Sequence, residues 1–405
     1  MEFPFGKGEA FMEDELYELT RYYDKVFIIP YFGKGEPRKI ESEKIEVANI
    51  LEEDETIIKY TGLEFIQKQF GLTLSVLGSE MFTKRGLNLS IRKLRMSLIH
   101  LKNSTSRMKS LSEFISKTEG AENHFYAMWM SAPASLLAVL KKKGVINSFI
   151  ARAHGYDIVK ERHPNNYIPL LQFNIDQVNH VFANSLFSRK LLLRLTREKK
   201  KVSVNYLSLK DRAKAISPVQ ADNNIFTVAS VSNVYDFKRV DKIYEVLNRV
   251  ANKHEVQWVH FGDGPKMDDL QQLIANKDHM LHINLKGNVP REEIFEYYRE
   301  SAPDLFIHLS LYEGFGVSLV EAQSFGIPVL VANTGGTSEA VSEISGVLVE
   351  HNDTALQIAE IIIKHIENKQ WKEKRTAARQ FFLDKFEARS AVERFQQLIE
   401  QNHVS

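Results

Sequence analysis

Short apolar runs of strand length alternate along the chain with segments whose apolar positions recur at helical spacing. The clearest unit lies in the second half, where an apolar run at 304–309 is followed by a glycine turn, a helical stretch at 317–325 and an apolar run at 327–332. Other runs are predicted to be strands, at 25–30, 124–130, 148–153, 180–185, 201–207, 224–231, 256–261 and 281–289. The pattern predicts strand–turn–helix–strand units of an α/β protein.

The glycine turn in that unit carries the main candidate chemistry. Gly314 and Gly316 let the backbone approach a ligand closely, and the helix after them directs free N–H groups and its positive dipole end at that ligand. We therefore expect an anion there, with a phosphate as the best fit. Glu313 lies in the turn, and Glu321 lies about two helical turns further on, on the same face. Carboxylates accept hydrogen bonds from hydroxyls, so this pair suits a sugar on one side of the phosphate and a ribose on the other.

The composition is that of an ordinary globular protein. The 405 residues are 43% hydrophobic and 26% charged, with a net charge of +1, which allows two or three domains and indicates no nucleic-acid partner. The absence of cysteine excludes disulfides, thiolate metal sites and cysteine nucleophiles. No window reaches about 18 uninterrupted apolar residues. Residues 1–15 are acidic and lack the pattern of a signal peptide, so we expect a cytoplasmic protein.

The glycine turn and the segments after it also carry the motifs of a known family. Glu313 and Glu321 form an E-x7-E pair that begins Glu-Gly-Phe-Gly, and Gly-x-Pro-Val follows. Gly335 and Gly336 then begin a Gly-Gly-x-x-Glu phrase that ends at Glu339. This pattern resembles retaining glycosyltransferase family 4 over nearly the whole second half. The resemblance implies the GT-B fold, in which two Rossmann-like domains face a cleft and the C-terminal helix crosses back to the first domain.

The resemblance implies a role for each residue of the turn. Glu313 would contact the transferred sugar, and Glu321 would bind the ribose of the nucleotide. The backbone amides that would hold the diphosphate are those of Gly314, Phe315, Gly316 and Val317.

Three more donor-binding segments follow from the same resemblance. Lys238 matches a family lysine that contacts the diphosphate, whereas Asn233 stands where an arginine is usual and Arg239 where a glycine is usual. A missing guanidinium removes a bidentate phosphate contact. Either Arg239 compensates for it or the donor is held differently. The backbone from Gly287 to Val289 would read the nucleotide base.

Two candidates lie in the first half. The phrase Arg-Ala-His154-Gly-Tyr-Asp157 follows a predicted strand, where ligands sit in open α/β sheets. It resembles a phrase of bacterial polysaccharide glycosyltransferases in which the histidine faces the donor sugar, with Asp157 beside it. Gly6 and Gly8 resemble the loop after the first strand of a Rossmann-like domain, and they would contact the acceptor or diphosphate or form a plain turn. Because little precedes this loop, either the natural start lies upstream or residues 1–5 form a truncated strand.

A basic stretch runs through the first half without one acidic residue between 81 and 111. Its cations are Lys84, Arg85, Arg92, Lys93, Arg95, Lys102, Arg107 and Lys109. Interleaved leucines and isoleucines make residues 84–109 amphipathic, which predicts either a surface for anionic lipid headgroups or an ordinary exposed helix pair. The family resemblance adds some support to the lipid surface, which would lie at the inner face of the cell membrane, and the exposed helix pair stays open.

The predicted domains are an N-terminal Rossmann-like acceptor domain at 1–212, a Rossmann-like nucleotide-sugar donor domain at 213–385, and a C-terminal helix at 386–405 that packs back on the first domain. The expected function is retaining transfer of a sugar from a nucleotide-diphospho-sugar to a glycan or lipid-linked hydroxyl, in cell-surface polysaccharide or glycolipid assembly. No Asp-x-Asp motif occurs. We therefore expect no metal and no cofactor, and Lys238 with the turn amides would neutralise the leaving group.

Two alternatives stay open at this point. A nucleotide-sugar epimerase of the same architecture would bind the same donor but eliminate the nucleotide. A catalytically inactive glycosyltransferase-like partner subunit is the other alternative, and Asn233 in the usual arginine position supports it. A nicotinamide enzyme is disfavoured, because no complete G-x-G-x-x-G follows a predicted strand.

Overall fold

The computed structural model describes most of the chain, namely residues 2–5, 9, 11–40, 42–83, 86–87, 90–118, 120–213, 225–275 and 277–401. The candidate loop residues Gly6 and Gly8 lie outside the described residues, as do Lys84 and Arg85 of the basic stretch. The chain divides into two compact units, Met1–Tyr206 with Ala391–Ser405, and Leu207–Ser390.

The first unit is built on parallel strands. Its strands are β1 Val26–Ile28, β2 Ile45–Val47, β3 Phe82–Thr83, β4 Gly86–Leu87, β5 Tyr126–Ala127, β6 Ile150–Ala153, β7 His180–Ala183 and β8 Val202–Val204. Four of them form a parallel sheet in the order β5-β6-β7-β8. Strands β1 and β2 form a separate parallel pair, and β3 and β4 form an antiparallel pair.

The N-terminal residues differ from one of the two expectations. Residues 3–5 form a turn and not a truncated strand. Pro4 has no N–H to give to a strand ladder, its carbonyl accepts from the Arg38 N–H, and the Phe3 N–H donates to the Glu9 carboxylate at 2.9 Å. The first strand of the described chain is therefore β1, which pairs with β2 and does not lie in the middle of the four-stranded sheet.

Ten helices before the second unit surround these strands within the described residues. They are α1 Met12–Leu19, α2 Glu55–Lys59, α3 Gly62–Lys68, α4 Phe70–Met81, α5 Ile91–Ser106, α6 Met108–Ser116, α7 Ala132–Lys142, α8 Gly155–Ile158, α9 Leu171–Gln177 and α10 Leu186–Leu192. Helix α7 is buried from Ala134 to Leu140 and packs against α5 and α9. Its nearly continuous apolar sequence, with alanines among the leucines, fits a helix covered on most sides.

The second unit holds one six-stranded sheet. Its strands are β9 Phe226–Val231, β10 Val256–Phe261, β11 Leu281–Leu285, β12 Leu305–His308, β13 Val329–Ala332 and β14 Gly346–Val349. They are all parallel, in the order β11-β10-β9-β12-β13-β14. The chain proceeds outward from β9 to β11 and then returns to the other side of β9 with β12. The strand order therefore reverses between β9 and β12, and such a switch point is where open α/β sheets bind ligands.

Helices flank the six-stranded sheet. They are α11 Val240–Val250, α12 Met267–Ile274, α13 Arg291–Ser301, α14 Val317–Ser324, α15 Ala355–Glu367 and α16 Gln370–Lys385. Strands β12 and β13 are buried at every position, while the edge strand β11 alternates between covered and exposed positions. Central parallel strands read as continuous apolar runs because both faces are covered.

The last helix, α17 (Ala388–Gln401), belongs to the first unit from Ala391 onward. The Phe395 ring lies 4.7 Å from that of Phe182 and 5.5 Å from that of Tyr126. The predicted α/β class and the C-terminal helix that returns to the first unit are confirmed. None of the helices in the described part of the chain combines the length and apolar character needed to span a bilayer.

Candidate active site

Two loops meet at the switch point of the six-stranded sheet. One follows β9 and contains a short helical turn at Asp236–Lys238, and the other runs from β12 to α14. The Leu311 N–H donates to the Phe237 carbonyl at 2.7 Å and joins them. Helix α14 begins after Gly316, whose φ of 91° favours glycine, and no side chain among the described residues caps that end. The Leu319 N–H donates to the Gly316 carbonyl at 3.1 Å, which leaves the N–H groups of Val317 and Ser318 for an anion. The predicted strand, glycine turn and helix are all present.

Glu313 and Lys238 form an ion pair at this point. The Lys238 Nζ lies 2.7 Å from Glu313 Oε2, with both side chains mostly buried. The Gly314 N–H, predicted to hold the diphosphate, donates instead to Glu313 Oε1 at 3.2 Å. Burial alone would raise the pKa of Glu313, but the Lys238 ammonium and the His308 imidazole overcome that effect and hold the pKa well below its usual range. The structure therefore joins two separately predicted residues and keeps the carboxylate ionised.

The Gly-Gly phrase after β13 fixes the backbone of Glu313. Gly335 has a φ of 59°, and a Cβ at that position would lie 1.9 Å from the Glu313 carbonyl oxygen. That oxygen accepts the Gly336 N–H at 3.1 Å, and the Thr334 hydroxyl donates to the Ser310 carbonyl at 2.9 Å. Only glycine allows so close an approach at Gly335. This contact gives a physical reason for glycine at position 335.

Glu321 is paired as well, with a residue that the sequence did not single out. The Arg291 Nε donates to Glu321 Oε1 at 2.6 Å, and both side chains are largely buried. Arg291 is the first residue of α13, 30 positions before its partner. A cation shortly after a predicted strand was the available signal, but the pairing depends on how the sheet brings α13 and α14 together.

Arg239 is engaged by backbone carbonyls. Its Nε donates to the Leu309 carbonyl at 2.7 Å, and an Nη donates to the His351 carbonyl at 2.8 Å. Its φ of 52° is left-handed, which gives a physical reason for glycine to be usual at that position in the resembling family. Asn233 is exposed in the loop after β9. The compensation of a missing arginine by Arg239 stays a prediction.

The other predicted donor residues are Phe315, in the loop before α14, and Gly287 and Val289, which follow β11. The Phe315 ring is buried 5.4 Å from the Phe386 ring, so this residue offers the site its backbone. The Gly262 N–H donates to the Gly287 carbonyl at 2.8 Å, and half-buried Val289 follows two residues later. The base-reading role of this segment stays a prediction.

His154 lies in the first unit at the carboxyl end of β6, as predicted. The His154 Nε2 is 3.0 Å from the Met128 carbonyl, and the ring is 4.3 Å from that of Trp129. The backbone N–H of His154 donates to Asp157 Oδ2 at 3.1 Å. Burial, followed by the charge of Arg152, lowers the pKa of His154 to about 3. The neutral ring therefore donates from Nε2 to the carbonyl, which makes Nδ1 its hydrogen-bond acceptor.

We predict opposite pH effects on stability from these two buried groups. Unfolded His154 takes up a proton near pH 6.5, but the folded ring resists to about pH 3, so wild type loses stability relative to His154→Gln as the pH falls through this window. Burial raises the pKa of Asp157 from 3.8 to about 7, so wild type loses stability relative to Asp157→Asn as the pH rises through that window. Each slope is at most about 1.4 kcal/mol per pH unit.

Urea unfolding from about pH 4 to about pH 8 measures these slopes. A difference between wild type and either variant that does not change with pH would contradict the assigned ionisation states. Since the two windows overlap, the single variants separate effects that nearly cancel in the wild type.

Comparison with known proteins agrees with this architecture. Residues 211–381 match the family described as glycosyl transferases group 1. The gpi3 subunit of phosphatidylinositol N-acetylglucosaminyltransferase from Schizosaccharomyces pombe is 30% identical over 206 residues, which are 49% of this chain and 44% of that protein. The chain thus spans less than half the length of this relative.

Solved structures resemble a larger part of the chain. HepE of Anabaena, solved in complex with UDP, has a TM-score of 0.60 at 18% identity and matches 82% of this chain and 95% of that chain. The lipopolysaccharide outer core galactosyltransferase WaaB, in its apo form, has a TM-score of 0.61 at 14% identity and matches 74% and 80%. At such identities the likeness shows the fold, which is the predicted GT-B.

Proposed function

We propose that this chain, whose residues 211–381 match the glycosyl transferases group 1 family, transfers a sugar from a nucleotide-diphospho-sugar to a hydroxyl with retention and without a metal ion. One observation carries the proposal. The Lys238–Glu313 ion pair lies beside the uncapped start of α14, at the switch point of the parallel sheet. A cation, free amides and an ionised acid therefore meet where such sheets bind ligands.

The leaving group is a nucleoside diphosphate, whose negative charge grows as the bond to the sugar breaks. Lys238 and the first N–H groups of α14 would stabilise that charge from fixed positions, which is the largest single contribution in many enzymes. Glu313 would accept hydrogen bonds from sugar hydroxyls and orient the sugar.

Retention is proposed to occur by attack on the same face as the departing group. The bond from the anomeric carbon to the phosphate oxygen breaks, the bond to the acceptor oxygen forms on that face, and the acceptor proton passes to the departing phosphate oxygen. Glu313, which is ionised and held by Lys238, is assigned the orientation of the sugar and not nucleophilic attack.

The acceptor is proposed to be a glycan or a lipid-linked glycan. The name of the fission yeast relative refers to phosphatidylinositol, and that of WaaB refers to the lipopolysaccharide outer core. Either name supports an acceptor carried by a lipid. A role in cell-surface polysaccharide or glycolipid assembly follows from that proposal.

A surface of the first unit supports contact with an anionic membrane. We call it the α4–α5 surface, and its exposed residues are Phe70, Leu74, Ile91, Arg92, Arg95 and Ile99. Helices α4 and α5 pack against each other. The only ionisable side chain of α4 is Glu80, which is buried. An uncharged, partly apolar helix face beside two exposed arginines suits a lipid surface.

The α4–α5 surface includes fewer cations than the basic stretch predicted. Lys102 donates to the carbonyls of Ile58 and Tyr60, at 2.6 and 2.7 Å. Arg107 pairs with Glu53 at 2.6 Å. These two cations hold segments of the first unit together, so we assign the lipid contact to the exposed arginines of α5.

The double substitution Arg92→Glu, Arg95→Glu is expected to abolish binding to anionic vesicles, since each basic side chain near such a surface contributes about 1 kcal/mol. The measurement is co-sedimentation with vesicles of phosphatidylcholine alone and of phosphatidylcholine with phosphatidylglycerol. Lys277→Glu, an exposed position of the second unit, is the control. Equal sedimentation of wild type with both vesicles would contradict the proposed surface.

A partner-subunit role is a second candidate, because the fission yeast relative is named as a subunit. A chain that binds a nucleotide sugar but transfers it to no acceptor without another protein would favour this role. Release of nucleoside diphosphate from the donor by the isolated chain would favour an active enzyme.

The experiment for the main proposal incubates the chain with UDP-, GDP- and ADP-linked sugars, with and without a bacterial lipid extract. The expected result is a sugar-bearing lipid with the anomeric configuration of the donor, formed in the presence of a chelator. An inverted product, or free epimerised sugar in the absence of acceptor, would overturn the proposal.

A further inference from the structure

We propose that His308 is a positioning residue that holds the Glu313 carboxylate in place while Lys238 engages the diphosphate. The inference rests on the proposed function and assigns a role to a residue that the motifs do not mark. His308 is the last residue of β12, five positions before Glu313.

The side chains of His308 and Glu313 lie close together. His308 is 4% exposed, and its Nε2 lies 3.4 Å from Glu313 Oε2. In the described part of the chain this nitrogen has no closer hydrogen-bond partner. A buried ring nitrogen is costly to leave unsatisfied, so a small adjustment that makes Nε2–H a donor to the carboxylate is favourable.

The charged groups that face His308 are Lys238 and Glu313. Burial is the largest influence and lowers the pKa of His308, the Glu313 carboxylate raises that pKa, and the Lys238 ammonium lowers it further. The ring is therefore neutral at neutral pH. A neutral donor can hold the carboxylate without competing with Lys238 for the phosphate.

A second donor to Glu313 is needed because Lys238 has two roles, as the ion-pair partner of Glu313 and as a ligand of the diphosphate. The Lys238 ammonium lies 2.7 Å from Glu313 Oε2, closer than the His308 ring does. When that ammonium turns to a diphosphate, Glu313 keeps the Gly314 N–H on Oε1 and the His308 ring on Oε2. Two donors on two different oxygens fix the plane of the carboxylate and hence the direction of its contacts with the sugar.

Two substitutions separate this role from simple packing. His308→Phe keeps a ring of similar shape and removes the donor, whereas His308→Gln keeps an N–H at a similar reach. With the donor sugar selected by the screen above, His308→Phe is expected to lower kcat about 10- to 100-fold with KM for the donor little changed. His308→Gln is expected to recover most of the rate.

The decisive comparison is made in a Glu313→Gln background. If His308 acts through Glu313, adding His308→Phe to Glu313→Gln lowers kcat no further. His260→Phe is the matched control, because His260 is also buried in a strand of the same sheet and bonds to Ser230 at 2.8 Å. Its effect is expected to be independent of Glu313.

A second readout needs no activity. Urea unfolding of wild type, His308→Phe, Glu313→Gln and the double variant is expected to give non-additive stability changes for this pair and additive ones for His260→Phe with Glu313→Gln. Additive changes together with an unchanged kcat for His308→Phe would overturn the proposal. If no donor releases nucleoside diphosphate, the proposed function fails, while the unfolding comparison still decides whether His308 and Glu313 interact.

Discussion

Replacing Lys238 with methionine is expected to lower sugar transfer by about 10²–10³-fold, the usual effect of removing one fixed donor from a developing negative charge. Methionine keeps the length of the side chain but not the ammonium that lies 2.7 Å from Glu313 Oε2. The diphosphate would then be held by the α14 amides alone. Both kcat and the affinity for the nucleoside diphosphate are expected to fall, measured by steady-state kinetics and calorimetry.

Lys277→Met is the control for this variant, since Lys277 is an exposed lysine of the same unit. It is expected to leave both quantities unchanged. Removal of Lys238 leaves the Glu313 carboxylate mostly buried with His308 and the Gly314 N–H as partners, so the melting temperature of Lys238→Met needs to be checked. A folded Lys238→Met protein with wild-type turnover would refute the assignment.

Replacing Glu313 with glutamine is the second prediction with a large effect, and its signature differs. The amide keeps the size of the side chain but loses the charge that orients sugar hydroxyls, so kcat is expected to fall about 10²-fold or more. The affinity for the nucleoside diphosphate is expected to hold or rise. This is because Lys238 no longer has to leave an ion pair before it meets the phosphate.

The two halves of one ion pair are thus expected to change diphosphate affinity in opposite directions. Glu292→Gln, in the exposed first turn of α13, is the control for the loss of an acid. A Glu313→Gln variant that binds the nucleoside diphosphate as weakly as Lys238→Met does would mean that the pair acts as a unit of structure and not as two functional groups.

Local sequence patterns predicted the second unit well, because each of its strands, turns and helices is marked by residues that are neighbours in the sequence. The apolar run at 304–309, the two glycines and the helical spacing after them correspond to β12, the turn and α14. Parallel strands buried on both faces are apolar throughout, and that pattern is visible without any knowledge of the neighbours.

The contacts that make the site depend on chain topology, which local patterns do not contain. Lys238 and Glu313 lie 75 positions apart and meet because β9 and β12 are neighbours in the sheet. The contact of Arg291 with Glu321 has the same origin. His308 lies at the end of a predicted strand. A histidine at that position did not indicate a functional role until the structure placed its ring 3.4 Å from the Glu313 carboxylate.

The first unit was harder to predict for a related reason. The basic stretch predicted one continuous cationic surface. In the structure, however, Lys102 donates to the Ile58 carbonyl and Arg107 pairs with Glu53, both earlier in the chain. Charge alone does not tell which cations meet solvent and which satisfy buried carbonyls or acids. The turn at residues 3–5 similarly depends on partners at Glu9 and Arg38.

The most direct test of the account is calorimetric binding of the nucleoside diphosphate that the donor screen selects, compared with its monophosphate, to wild type and Lys238→Met. The account predicts that wild type binds the diphosphate at least about tenfold more tightly, a difference of roughly 1.4 kcal/mol. It also predicts that Lys238→Met loses most of that preference. Equal affinities for the two nucleotides in the wild type, or an undiminished preference in Lys238→Met, would contradict a diphosphate site at the start of α14.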